Sequence, residues 1–122
     1  MNTGHLDRRT VDFLVFDWLR AGDLIARQEF TEHSRETFEA VLDLANQLAE
    51  QEFAEHYRKA DREEPRLVNG RVELIPEISR ALRAYAEAGF FASAFPSSVG
   101  GHQLPCVVAT SAFAFFTAAN IA

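Results

Sequence analysis

Any chemistry in this chain would have to come from four histidines, one cysteine, a paired glycine and the acidic residues of its helices. The pair Gly100-Gly101 sits in Phe95-Pro96-Ser97-Ser98-Val99-Gly100-Gly101-His102-Gln103-Leu104-Pro105. A phosphate-binding loop needs a following Lys and Ser or Thr, and a dinucleotide fingerprint needs a third glycine after a strand. Neither is present, so the pair reads as a structural turn. His5, His33, His56 and His102 are scattered. A carboxylate-bridged metal in a helical bundle uses Glu-x-x-His on one helix face. The residue three before His56 is Phe53, which cannot ligate; Glu52 lies one turn away and can only pair with the ring. No metal site is expected. Cys106 lacks the basic neighbours that activate a thiol. No Ser-His-Asp set or paired-carboxylate pattern stands out, so no catalytic residue is assigned.

The elements around these residues follow from capping signals and periodicity. Thr10 to Leu19 reads as a short helix with Thr10 as its cap, its apolar residues dense enough to pack on two sides. Gly22 ends it, and Asp23 caps a second short helix through Gln28. Ser34 caps the strongest periodic segment, in which Phe38, Val41, Leu42, Ala45, Leu48, Ala49 and Phe53 share one face as far as about Ala60. After a break at Asp61 to Pro65, the Asn69-Gly70 pair between two β-prone arms predicts a small hairpin over Arg66–Leu74 that must lean on the helices. Pro76 opens a further helix with Ile78, Ala81, Leu82 and Tyr85 as its buried stripe. Gly89 stops it in a left-handed turn. Phe90 and Phe91 form a plug, and Pro105 restarts a helix running through about Ala119. The expected fold is all-α, an irregular bundle of five to six helices with one small β-hairpin, forming a single domain over residues 1–122.

Charge is distributed unevenly. All 12 Lys and Arg and all 18 Asp and Glu precede Ala88, leaving Ala88 to Ala122 uncharged. The last helix carries Cys106, Val107, Val108, Phe113, Phe115, Phe116 and Ile121 all round its axis. A helix without a polar face needs a cover. The rest of the chain, a partner or a membrane could supply it. Cys106 to Ala122 is short for a membrane span, is interrupted by Thr110, Ser111, Thr117 and Asn120, and has no basic flanks, which argues against a bilayer. A net charge of −6 argues against nucleic acid as a partner. A single cysteine excludes an internal disulfide and fits a reducing, cytoplasmic setting. Met1 to Asp7 lacks the apolar core of a signal peptide.

Taken in order, these features resemble a known family. Ala88-Gly89-Phe90-Phe91, the Phe95–Pro105 loop and the closing helix through Ala118 and Asn120 are similar to the N-terminal helical domain of acyl-CoA dehydrogenases. The loop has Ser97 and Val99 where the family carries an acidic and an aromatic residue. Asp61-Arg62-Glu63, Asn69-Gly70-Arg71-Val72 and Val11-Asp12-Phe13-Leu14 resemble the long-form branch, so the resemblance runs from about residue 10 to 122. It implies an FAD-dependent enzyme that forms an α,β double bond in acyl-CoA thioesters. In that family a Glu base and most flavin contacts lie in later domains. No residue of this chain matches them, so no catalytic or cofactor-binding residue is carried over. The resemblance implies a truncated or split flavoenzyme in a homo-oligomer, partnered by the remaining dehydrogenase domains or a complementing subunit and not self-sufficient for catalysis. It places a wall of the acyl pocket on the last helix, with Thr110, Phe113, Ala114 and Thr117 as substrate-binding residues. Phe113 and Phe116 would then favour a short or narrow acyl group; as plain core residues they would do no such thing. The alternative is a stand-alone, non-catalytic helical interaction protein derived from the same domain.

Overall fold

The computed structural model describes residues 5–122, so the first four residues of the Met1–Asp7 segment lie outside it. The architecture is all-α with one two-stranded antiparallel hairpin, in the order α1 (Arg8–Asp12), α2 (Arg35–Leu48), α3 (Tyr57–Arg62), β1 (Arg66–Val68), β2 (Arg71–Glu73), α4 (Pro76–Glu87) and α5 (Cys106–Ala119). Among the described residues no helix is long and apolar enough to cross a membrane.

The first helix starts one turn earlier than Thr10 suggests. Asp7 is the cap, its carboxylate accepting the Thr10 amide. α1 then widens into a π-helical turn over Phe13–Trp18, closed by the Leu19 amide donating to Leu14 O five residues back (2.9 Å). Only one side is packed. Val11, Val15 and Phe16 are buried, whereas Phe13, Trp18 and Leu19 are exposed, so the expected second packed side is a bare one. Gly22 is not the stop either. Arg20 takes the left-handed conformation (φ 54°), and Gly22 falls inside the 3-10 turn Ala21–Ala26 that replaces the expected Asp23–Gln28 helix. Arg8 fastens α1 to α2. Its Nε lies 2.9 Å from Asp12, and its two Nη groups reach Asp43 and the carbonyl of Glu39.

Ser34 caps α2 as its sequence predicts. Its hydroxyl accepts from the Thr37 amide (3.2 Å), while the Thr37 hydroxyl accepts from the Ser34 amide (2.8 Å). The expected run to Ala60 does not stay intact. α2 passes into a π-helical turn, Ala49–Phe53, then breaks at Ala54 to His56 before α3 begins. A π turn closes on the carbonyl five residues back (Ala54 N to Ala49 O, 2.9 Å), which shifts the register of everything after it. The apolar stripe of α2 therefore stops at Phe53.

Phe38, Leu42 and Ala45 from α2 and Ala49 from the π turn after it pack with Val108, Ala112, Phe115, Phe116 and Ala119 from α5, and this pairing is the heart of the core. Alanines at Ala45, Ala49, Ala112 and Ala119 let the two backbones approach while the aromatic and branched side chains interlock between them. Val11, Val15 and Phe16, together with Phe90 and Leu104, complete the same buried cluster. The Arg35 guanidinium covers the Phe16 ring at 4.5 Å. Accessible surface is 8340 Å², against about 6,600 Å² for a compact chain of this mass. Exposed apolar side chains on the π turn after α1, the hairpin, α4 and α5 contribute to the excess.

The hairpin has the expected turn, with Asn69 and Gly70 both at positive φ (50° and 76°), and pairs Arg66 with Glu73, Leu67 with Val72 and Val68 with Arg71. It does not lean on the helices: every strand residue is exposed. α4 begins at Pro76, and Gly89 (φ 85°) follows its end as predicted. Within its stripe Ala81 is buried and Leu82 is not. The Lys59 ammonium donates to Glu77 at 2.7 Å, joining α3 to the first turn of α4. That bond, helped by a backbone donor, holds the Glu77 carboxyl below its ordinary range and raises Lys59.

Candidate functional site

α5 is apolar nearly throughout but not uniformly covered. Val108, Ala112, Phe115 and Ala119 face the core at helical spacing, and Cys106, Thr110, Phe113 and Thr117 face outward at the same spacing. The expectation of a helix sticky on every side is thus half met: one face belongs to this chain's own core. The outward face is uncharged, and Phe113 on it is 57% exposed.

Beside that face lies an open groove of about 360 Å³, lined chiefly by Phe53, Leu82, Tyr85, Phe91, Phe113 and Phe116 and closed at one end by Thr117, Asn120 and Ile121. Its floor is a cluster of aromatic rings. Phe116 meets Phe53 edge-on at 5.0 Å, Tyr85 at 4.9 Å and Phe90 at 5.1 Å between centroids, and Tyr85 meets Phe91 at 4.8 Å. These edge-to-face contacts are the geometry aromatic pairs favour. Tyr85 is the one ionisable residue in the lining, and burial raises its phenol above the ordinary value. A groove of this volume and character accepts a small apolar group. It offers neither a carboxylate nor an imidazole for proton transfer.

The four residues picked from sequence all lie on α5 away from its core stripe, but they do not form one site. Phe113 and Thr117 line the groove. Thr110 sits further toward the N-terminus, its hydroxyl 3.6 Å from the Cys106 sulfur, and Ala114 is half-buried outside the lining. The Thr117 hydroxyl donates to the Phe113 carbonyl at 3.2 Å, leaving only its lone pairs for a ligand. Phe53, Leu82, Tyr85, Phe91, Asn120 and Ile121 were not assigned to the site from sequence. Leu82 and Tyr85 read from sequence as part of the buried stripe of α4; Leu82 is exposed instead and lines the groove.

Asn120 holds the closed end together. Its side-chain amide donates to the Phe53 carbonyl (2.9 Å), which the break after α2 leaves without its helical partner, and its Oδ1 accepts the Ala122 amide (3.0 Å). Asn120→Ala should lower unfolding free energy by about 1–2 kcal/mol, because a partly buried carbonyl loses its donor; urea titration measures it.

The histidines do not converge. His33 Nε2 donates to the carbonyls of His102 (3.0 Å) and Gln103 (3.1 Å), tying the glycine loop to the segment before α2. His56 is buried with Nδ1 unpartnered, and Glu52 pairs with Arg80 (3.6 Å) instead of with the His56 ring. Among the described residues no three His, Cys, Asp or Glu side chains gather as a metal site would require. The glycine pair builds a turn, as read: Gly100 closes the 3-10 turn Ser97–Val99 at φ 84°. No protein-family model and no curated protein matches the chain in sequence.

Proposed function

We propose that this chain is the N-terminal helical domain of an FAD-dependent acyl-CoA dehydrogenase of the long-form type, working in the cytoplasm and contributing one wall of the acyl pocket. The observation that carries the reading is the aromatic-floored groove along the outward face of α5, where the resemblance puts the acyl wall. The hydrocarbon end of a thioester would lie over Phe116, with Phe113 limiting its length. Thr110 and Ala114 would meet the substrate only on the stretch of α5 beyond the groove.

The flavin does not fit residues of this chain alone. The groove has no basic side chain for a pyrophosphate, and the Asn120 amide is committed to Phe53 and Ala122. FAD and the Glu base belong, in this reading, to the remaining dehydrogenase domains or a complementing subunit, within a homo-oligomer, and the chain by itself turns over no acyl-CoA.

Assembly of this chain with those domains tests the proposal. The expected result is a flavin-containing complex that reduces a dye only with acyl-CoA present, and in which Phe113→Ala moves the preferred acyl chain to a longer one. Turnover by the isolated chain, or a complex with unchanged chain-length preference in Phe113→Ala, would overturn it. A folded chain that neither assembles with such domains nor binds acyl-CoA would favour the stand-alone interaction protein.

A further inference from the structure

The hairpin is the part of the fold with no evident support. A lone two-stranded ribbon is marginal in water, and stability comes with three or more strands or a packed face. Here all strand residues are exposed, with Leu67 at 76% and its cross-strand partner Val72 at 65%. Side chains alternate along a strand, so Leu67, Val72 and the following Leu74 share one face, and Arg66, Val68, Arg71 and Glu73 share the other. The ribbon thus has an apolar face open to solvent.

Its edges distinguish themselves by charge. In a hairpin with a two-residue turn, the pair flanking the turn is hydrogen-bonded and the pairs alternate from there. Val68 and Arg71 flank the turn, so the N–H and C=O of Leu67 and of Val72 point outward from the ribbon. An antiparallel partner can bind either edge. Joined β1 to β1 about a two-fold axis at Leu67, two copies would set Arg66 against Val68. Joined β2 to β2 about an axis at Val72, they would set Arg71 against Glu73 twice, in the closely spaced, non-hydrogen-bonded positions where cross-strand charges interact best. The same register lets the two Val72 residues exchange both backbone hydrogen bonds.

We propose that β2 is a self-association edge, through which two copies of this chain form a four-stranded antiparallel sheet centred on Val72. One face of that sheet carries a continuous row of Leu67 and Val72 from both copies, flanked by Leu74; the other carries two Arg71–Glu73 ion pairs. The inference is independent of the dehydrogenase reading. The contact is small, so association is weak and transient.

The test is sedimentation of the full chain from about 10 µM to 1 mM at low salt. Wild type should associate reversibly. R71E places two acids on the edge and meets only Val68 within its own ribbon; R66E/E73R places two bases there and preserves the in-ribbon opposite-charge pair. Each alone should associate at least about tenfold more weakly, because two attractive pairs become repulsive. An equimolar mixture of the two should associate again, since every edge charge regains its complement. In mixed labelled and unlabelled wild-type chain, intermolecular NOEs should join Arg71 to Glu73 of the second copy, a readout that needs no variant. A wild type that stays monomeric throughout would overturn the proposal. So would variants that associate as wild type does, a mixture that fails to recover, or intermolecular NOEs confined to the α5 groove.

Discussion

Replacing Phe115 by Ala should lower unfolding free energy by about 3–5 kcal/mol, enough to unfold much of a marginal domain, whereas the same change at Phe113 should cost less than about 1 kcal/mol. The two residues are neighbours on one helix and identical in chemistry. Phe115 is 2% exposed and belongs to the core cluster between α2 and α5; Phe113 is 57% exposed and contributes to the groove. Truncating Phe115 removes apolar area from a place water cannot reach and leaves a void that Ala112 and Ala45 are too small to fill. Truncating Phe113 removes area that is already half in water. Urea unfolding of the two variants, read as midpoints at unchanged slope, makes the comparison. Comparable losses at both positions would mean that α5 is enclosed on both sides, and the open wall on which the acyl-pocket proposal depends would not exist.

That contrast also marks how far sequence carries. Local signals were legible because their physics is local. Ser34 with Thr37 closes a capping box, Asn69-Gly70 takes two positive φ angles, Pro76 opens α4 and Gly89 follows its end. Each depends on atoms within a few residues. The misreadings have equally specific causes. Gly22 looked like the stop, yet Arg20 accepts the left-handed turn, so a glycine two residues on was not needed. The break after Phe53 was invisible because the π turn before it uses ordinary helix formers, and because Asn120, far along the chain, satisfies the freed carbonyl. The hydrophobic count on α5 was right, but its partition into a covered and a bare face is decided by where α2 and α4 lie. The groove was half legible for the same reason. Phe113 and Thr117 were picked from one helix, while Phe53, Leu82 and Phe91 arrive from three separate segments that only the fold brings together.

Gly101→Ala should destabilise the chain by about 3 kcal/mol or more, the largest single effect expected outside the core. The position needs glycine because of crowding. A Cβ there would overlap the carbonyl carbon and oxygen of Phe95. That carbonyl is not free to retreat, since it accepts the Gln103 amide at 2.9 Å. The neighbouring strands of the loop are pinned likewise: His102 N to Ala92 O at 3.0 Å, Leu104 N to Ser93 O at 2.9 Å, and the Gln103 side chain bridging the Ser97 amide (2.8 Å) and the Glu29 carbonyl (2.6 Å). A methyl group at position 101 must therefore break backbone hydrogen bonds instead of displacing a side chain. Gly89→Ala supplies the internal comparison. There the added Cβ meets the ring of His102, whose imidazole can swing away, so relief by His102→Ala should recover part of the loss and leave the cost of φ 85° behind. No second-site truncation should rescue Gly101→Ala, because the obstacle is main chain. Thermal unfolding of the two single variants and of the Gly89→Ala/His102→Ala pair separates the cases. The loop leads directly into Pro105 and the first turn of α5, so this packing fixes where that helix begins and, through it, how Phe113 and Phe116 present themselves to the groove.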